Sequence, residues 1–416
     1  MSAAVRPPAG GAPFPWEEVA GRQLGRPLGF LRALGTVVSL LLAAAGPPAA
    51  AAGFDPLALQ PETADADDTA AAPASWHGSG PGLRLELARE QQERASGGTQ
   101  GYGSVVLDFR GEWRAAAGLR LALSNRYERR SGGDGTRQRN ALREAYASLA
   151  AAPGWYVDLG RINWRNGVGS GYNPTDYLKR GADIEQGSLD PRAQRENRLG
   201  TVMLRQQWVG AAGSAQLALI PALAAGPESS LTAPGWSRTN RDRAALLKLS
   251  PSLDEHTSLD LLAYARAGEG PQVGANLTRL LGAAWVVHAE FSSGRRAAAD
   301  GAPLRHADDS ALGLAWTTAA GAVLTLEHQR DGAARQRALF ARLAWDDAFG
   351  IAGLDVSAFV RRTLDSPARR WQIELGWAAG DRDDIRLRWA GSHGAADPAA
   401  ALTPRHSLNL AWLHAF

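Results

Sequence analysis

From residue 83 to the C-terminus, apolar and polar residues alternate with a period of two in one short segment after another. "GLRLALSNRYE" sets Leu119, Leu121, Leu123 and Tyr127 against Arg120, Ser124, Arg126 and Glu128. "AWVVHAEFS" sets Trp285, Val287 and Phe291 against His288, Glu290 and Ser292, and "WQIELGW" sets Trp371, Ile373, Leu375 and Trp377 against Gln372 and Glu374. Successive side chains of a strand point to opposite faces, so each segment reads as a strand with one apolar and one polar face. The pattern predicts about 18 such strands between Leu83 and Phe416.

The connections alternate as well. Tight turns fall near Ala115, Pro153, 210–213, 251–256, Gly282, Gly321, 346–350 and 379–384. Between them fall longer connections at 91–103, 129–140, 164–198, 222–242, 293–308, 362–370 and 391–405, with 267–271 and 331–335 as short exceptions. A transmembrane β-barrel has short periplasmic turns and longer outer loops, whereas a soluble β-sandwich has no reason to sort loops by side. Aromatic residues follow the same division. Trp113, Trp155, Trp208, Trp285, Trp316, Trp345, Trp377 and Trp412 fall near the expected periplasmic ends, and Tyr102, Tyr127 and Tyr264 near the opposite ends. Two interfacial girdles are expected of a membrane barrel, since these rings are part apolar and part polar. The fold class predicted is therefore all-β: an antiparallel transmembrane β-barrel over residues 81–416, of about 18 strands, with 16 also compatible.

The last strand, "HSLNLAWLHAF", places Leu408, Leu410, Trp412 and Phe416 at alternating positions. It resembles the terminal signal by which the bacterial barrel assembly machinery recognises outer-membrane barrels, with Leu410, Trp412 and Phe416 as its apolar members. His414 departs from that pattern. At the other end, Arg22, Arg26 and Arg32 precede a short apolar run and "PPAAAAG", the layout of an export signal ending near residue 52. Residues 1–52 thus read as a signal peptide with an extended N-region. Residues 53–80 carry five acidic residues and no basic one, and read as a disordered periplasmic leader. Together these features predict an integral β-barrel of a Gram-negative outer membrane, in contact with its lipid.

Composition removes several alternatives. The chain of 416 residues has no Cys, which excludes disulfides, thiolate metal sites and cysteine nucleophiles. Its formal charge is +3, of which residues 1–52 supply +2 through four Arg against two Glu, leaving +1 for the remainder. Nucleic acid binding therefore has no electrostatic support. No G-x-S-x-G, H-E-x-x-H or paired-carboxylate motif is present. His288 and Ser292 share a strand face but stand roughly 13 Å apart at strand rise. No catalytic residue, metal site or cofactor is predicted.

One stretch calls for separate treatment. "GRINWRNGVGSGYNPTDYLKRG" (160–181) has glycines at 167, 169 and 171 and a helix-start signal, with Asn173 as cap, Pro174 first and Asp176 as reciprocal partner. The spacing is G-x-G-x-G, no G-K-[ST] follows, and the neighbouring connections are antiparallel, so a phosphate-binding βαβ unit does not fit. With "DPRAQRENRLG" it resembles instead the G-R-x-x-W-G-x-G…N-P-x-D segment of a little-characterised group of proteobacterial porin-like outer-membrane proteins. "WRNG" stands here where that group has the tighter W-G.

As the third outer loop, residues 164–198 occupy the place that in general diffusion porins folds inward and narrows the pore. The expected constriction residues are Trp164, Asp176, Lys179, Arg180, Asp183, Glu185, Asp190, Arg192, Arg195 and Arg198, since charges of both signs at a constriction sort solutes by size and charge. A solvated loop on the outer surface is the alternative. The lumen wall is expected to include Arg120, Arg126, Arg342, Arg361, Arg386 and Arg388 with Glu290 and Glu374, a modest excess of Arg that suits small polar or anionic solutes. The function predicted is a passive diffusion channel; a non-channel barrel of an export or assembly complex is the alternative. Many porins are homotrimers, so a homotrimer is one expected assembly.

Overall fold

A computed structural model describes residues 82–93, 97–133, 135–184, 188–224, 235–297, 302–394 and 404–416. The expected signal peptide (1–52) and leader (53–80), and Glu185, lie outside these residues.

The strands are β1 (Gly82–Glu93), β2 (Thr99–Ala116), β3 (Leu119–Gly132), β4 (Gly135–Ala152), β5 (Trp155–Ile162) and β6 (Thr201–Gly210). They continue as β7 (Gly213–Ile220), β8 (Ala244–Asp254), β9 (Thr257–Arg266), β10 (Gln272–Leu281), β11 (Trp285–Arg296) and β12 (Arg305–Thr317). The last six are β13 (Val323–Asp331), β14 (Gln336–Trp345), β15 (Leu354–Thr363), β16 (Arg369–Ala378), β17 (Asp383–His393) and β18 (His406–Ala415). Two short helices, α1 (Pro191–Glu196) and α2 (Trp236–Thr239), lie in the loops after β5 and β7. Every strand pairs antiparallel with its sequence neighbours, and β1 also pairs with β18, from Arg84↔Ala415 to Glu93↔His406. The 18-stranded sheet is therefore closed, which leaves no edge with unpaired backbone groups.

Burial along each strand runs opposite to that of a soluble protein. In β13, Leu324 and Leu326 are exposed (39% and 62%) while Thr325, Glu327 and Gln329 are buried. Apolar side chains face outward and polar ones inward, the arrangement required when the outer solvent is hydrocarbon and the interior is wet. An 18-stranded barrel is wide enough to leave an aqueous channel unless something fills it.

The inner turns are tight, as expected. Gly154 adopts φ +73°, and a Cβ there would lie 2.4 Å from the Val209 carbonyl oxygen, so only glycine closes that turn. On the outer side, two expected loops are mostly strand. The 91–103 and 129–140 connections shrink because β2 and β4 each run for 18 residues, extending polar, Arg-rich sequence into a paired ribbon beyond the membrane belt. Backbone pairing from Tyr102↔Gly132 and Gly132↔Gly135 inward outweighs the loop-like composition.

The tryptophan belt lies at the inner ends, with Trp285 stacked on Trp316 at 5.5 Å across β11–β12. The tyrosine belt does not form as expected. Tyr127 faces outward, but Tyr102 lies under Arg130 on the lumen side and Tyr264 is buried against Tyr177. Part of the outer aromatic belt is supplied instead by the edge-on pair Trp371 and Trp389.

Candidate functional site

The connection between β5 and β6 crosses the barrel interior. Its first half docks on the far wall through the three glycines. Val168 and Gly169 N–H groups donate to Glu290 of β11, and Ser170 and Gly171 N–H groups to Glu327 of β13, the Gly171 bond at 2.9 Å. The backbone can approach this closely because side chains are absent. A Cβ on Gly169 would lie 2.3 Å from the Tyr172 carbonyl oxygen, and one on Gly171 2.4 Å from Gln329 Nε2. Gly167 also needs its left-handed φ of +98°. Successive backbone N–H groups in such a turn form an anion-binding concavity, and here the anions are the protein's own carboxylates.

Further contacts extend the dock. The Thr175 hydroxyl lies 2.7 Å from Asn276 Oδ1 and 3.1 Å from Glu290 Oε2, while Tyr177 stacks on Tyr264 at 4.9 Å and meets Ser292 at 3.0 Å. His288 Nε2 stands 3.0 Å from Glu327. His288 and Ser292, which share a strand face, thus belong to the wall that holds the loop.

The second half returns along other strands. The Leu189 N–H donates to Gln372 of β16 at 2.7 Å, Asp190 caps α1 by accepting from Arg192 N–H at 3.0 Å, and Asn197 Oδ1 accepts from Arg110 and Arg143. The base is clamped by Arg161, which donates to the carbonyls of Leu142, Gly200 and Gly235.

The expected helix at Asn173–Pro174 does not form; residues 173–181 are a series of turns. Thr175 N–H is drawn to Glu290, and Asp176, its expected capping partner, is taken by Arg198 in a two-pronged pair at 2.6 and 3.0 Å. The helix starts later, at Asp190–Pro191, where the same cap-and-proline chemistry recurs and the Asp190 side chain keeps its bond to the Arg192 N–H.

Several expected constriction residues prove to be internal fastenings. Trp164 packs in an apolar cluster with Ile162, Leu178, Met203, Leu246 and Tyr264. Asp176 and Arg198 are buried together, and Arg195 donates to the carbonyls of Asn166 and Gly167. Lys179 bonds the Asn173 carbonyl at 3.1 Å over the Tyr172 ring, and Arg180 pairs with Glu269 at the outer rim. The Asp183 carbonyl accepts from Arg238. Asp190 and Arg192 sit at the start of α1, with Asp190 facing Arg342 at 3.9 Å.

Burial pushes the Asp176 carboxyl up, but Arg198, with help from Arg195 and Lys179, outweighs it and holds the group below the ordinary aspartate range.

With the loop held in this way, the barrel can be set beside known folds. No family model and no curated protein matches the sequence. Solved structures do match. OccK2 (OpdF) of Pseudomonas aeruginosa in complex with glucuronate aligns with TM-score 0.53 at 13% identity, over 81% of this chain and 97% of that one. OccK5 (OpdH) of the same organism gives 0.53 at 10%, over 81% and 98%, and a BenF-like porin of Pseudomonas fluorescens Pf-5 gives 0.53 at 11%, over 82% and 100%. The fold is that of outer-membrane porins.

Within that porin fold, most of the bonds that tie the loop down fall on β4, β10, β11, β13 and β16. The wall from β17 round to β3 carries Arg386, Arg388, Arg126 and Arg120, all expected lumen residues. Here two carboxylates are each shared by several arginines, while Arg126 lies within 3.8 Å of Glu86, Asp108 and Glu128. Glu374 lies 3.3 Å from Arg386 and 2.7 Å from Arg388, and Asp108 serves Arg143, Arg126 and Arg110. Arg120 has its own partner, Glu112, at 2.8 Å. Arg361 bonds Gln329 and Arg342 faces α1, both on the lumen side. Glu290, expected on the lumen wall, lies there and is covered by the loop. Asp108, Arg143, Asn197 and Glu327 carry the dock; the alternation faces Arg143 and Glu327 into the lumen, Asp108 and Asn197 were not singled out from sequence, and no motif marks the long-range partners of any of the four.

Proposed function

We propose that this protein is a passive outer-membrane channel for small anionic solutes, narrowed by the 163–200 loop. The sharing of Glu374 between Arg386 and Arg388 carries the reading. One carboxylate serving two guanidinium groups leaves positive potential facing the open part of the lumen, and low-dielectric walls concentrate it. Glu290 and Glu327, which would oppose that field, are spent on the loop's N–H groups. The porins of the same fold support a carboxylate as the solute class, since OccK2 was solved with glucuronate and OpdK with vanillate.

On this reading solutes diffuse past α1, between Asp190–Arg192 and the Arg386–Arg388 wall. In planar bilayers the protein should give stepwise conductance with anion preference in a salt gradient. The Arg386→Gln/Arg388→Gln variant should move the reversal potential toward the cation side with little loss of conductance. A folded, heat-modifiable barrel that conducts nothing, or whose selectivity ignores this double substitution, would overturn the proposal.

A further inference from the structure

Outside the lumen, a groove of about 710 Å³ crosses the membrane-facing surface from β17 to β3. The row of paired outward residues Ile385, Trp412, Leu87, Val105 and Arg129 defines its course. Because strands in such a barrel tilt by ~40°, this row climbs as it passes from strand to strand. Ile385 and Trp412 lie near the inner ends of β17 and β18, whereas Arg129 lies near the outer end of β3. The lower part is apolar, with Leu87, Val105, Leu410 and Trp412 all exposed.

The upper part is cationic. Arg89 faces outward opposite Leu410 on one side and Gly103 on the other, and Arg129 stands opposite Val105. Neither arginine makes an ion pair or side-chain hydrogen bond among the described residues. Two positions on β2 keep the groove open, since a Cβ on Gly101 or Gly103 would meet nothing within 4 Å. The neighbouring outward pair Asn125–Asn140, bonded at 2.9 Å, marks where the apolar belt gives way to the polar interface. An outward arginine at the edge of the belt is favoured where its charge reaches that interface or meets an anion there. Gly103 leaves Arg89 a path upward toward Arg129.

We infer that this groove binds one phosphorylated lipid of net negative charge from the outer leaflet, with an acyl chain along Leu410, Trp412, Leu87 and Val105 and a headgroup phosphate between Arg89 and Arg129. Two unpaired guanidinium groups above an apolar trough complement an anionic amphiphile in both charge and order of polarity. The site rests on the membrane orientation of the barrel and not on what passes through its lumen.

The test is native mass spectrometry of the full chain in detergent, stripped of lipid and titrated with lipid A or with phosphatidylcholine. The wild type should retain a single lipid A and hold phosphatidylcholine no better than detergent. Arg89→Gln/Arg129→Gln should weaken lipid A retention about ten-fold or more. Gly103→Leu, which fills the trough and keeps both charges, should do the same. Millimolar inorganic phosphate should not displace the lipid, and channel conductance should be unchanged in all variants.

Equal retention by wild type and the Arg variant would overturn the inference, as would displacement by inorganic phosphate alone. So would an oligomer that Gly103→Leu disperses, which would make a second copy the occupant. Heat-modifiability checks each fold; should Gly103→Leu not assemble, the arginine variant decides by itself.

Discussion

Asp176 shows how a charge that looks like a pore lining becomes a fastening. It is buried with Arg198, and an aspartate without its charge leaves that guanidinium unpaired inside the protein. Removing one partner of such a pair costs about 3–5 kcal/mol. Asp176→Asn should therefore speed amide exchange at residues 168–171 by about 100-fold or more, measured by hydrogen exchange of the folded barrel. The pH dependence has a definite sign. Docking holds Asp176 below its ordinary value of about 3.9, so its contribution is full above that value and is lost as pH falls through the docked value. Acidification should loosen the loop and lift open-channel noise in bilayer recordings, and Asp176→Asn should be noisy at neutral pH. The glycines give a second prediction at this scale. Gly169→Val places atoms where the Tyr172 carbonyl already stands, so the N–H groups at 168 and 169 should leave Glu290. Each buried group left unsatisfied costs about 1–3 kcal/mol, and exchange protection at these amides should fall with no loss of heat-modifiability.

At the scale of elements, the strands were legible because each carries its own evidence: two faces, two solvents and a period of two. The long connection between β5 and β6 was legible as a connection, and its glycines and proline as turn chemistry. Its path was not. Val168 reaches Glu290 across 122 residues of sequence, and nothing local to either residue encodes the other. The helix was misplaced for the same reason, since Asn173–Pro174 and Asp190–Pro191 carry similar start signals and only tertiary partners choose between them. The loop is also separable from the ladder that bears it. Ile162 and Thr201 are directly paired, so a two-glycine turn could replace residues 163–200 without disturbing the β5–β6 ladder. Such a deletion should leave a heat-modifiable barrel whose single-channel conductance is several-fold higher, with the Arg wall still favouring anions. An unchanged conductance would mean that the loop does not limit the passage.

For the molecule as a whole, closure is the condition on which everything else depends. The seam is β1–β18, where Leu87 opposes Trp412 and Arg89 opposes Leu410, and where the Phe416 N–H reaches the Leu83 carbonyl at 3.0 Å. Without β18, both β17 and β1 would present a row of unpaired backbone groups to hydrocarbon, each costing several kcal/mol. No rearrangement of side chains offsets a loss of that size. A chain ending at residue 405 should therefore give no heat-modifiable species in outer-membrane fractions or on refolding into detergent. Phe416→Ala keeps the seam and removes only an exposed ring at its inner end, so the refolded barrel should be nearly as stable as the wild type. If its yield in cells nevertheless falls, the defect lies in delivery and insertion, which is the role the terminal pattern of Leu410, Trp412 and Phe416 suggests. Equal yields in cells and on refolding would instead leave those residues as lipid-facing members of the seam alone.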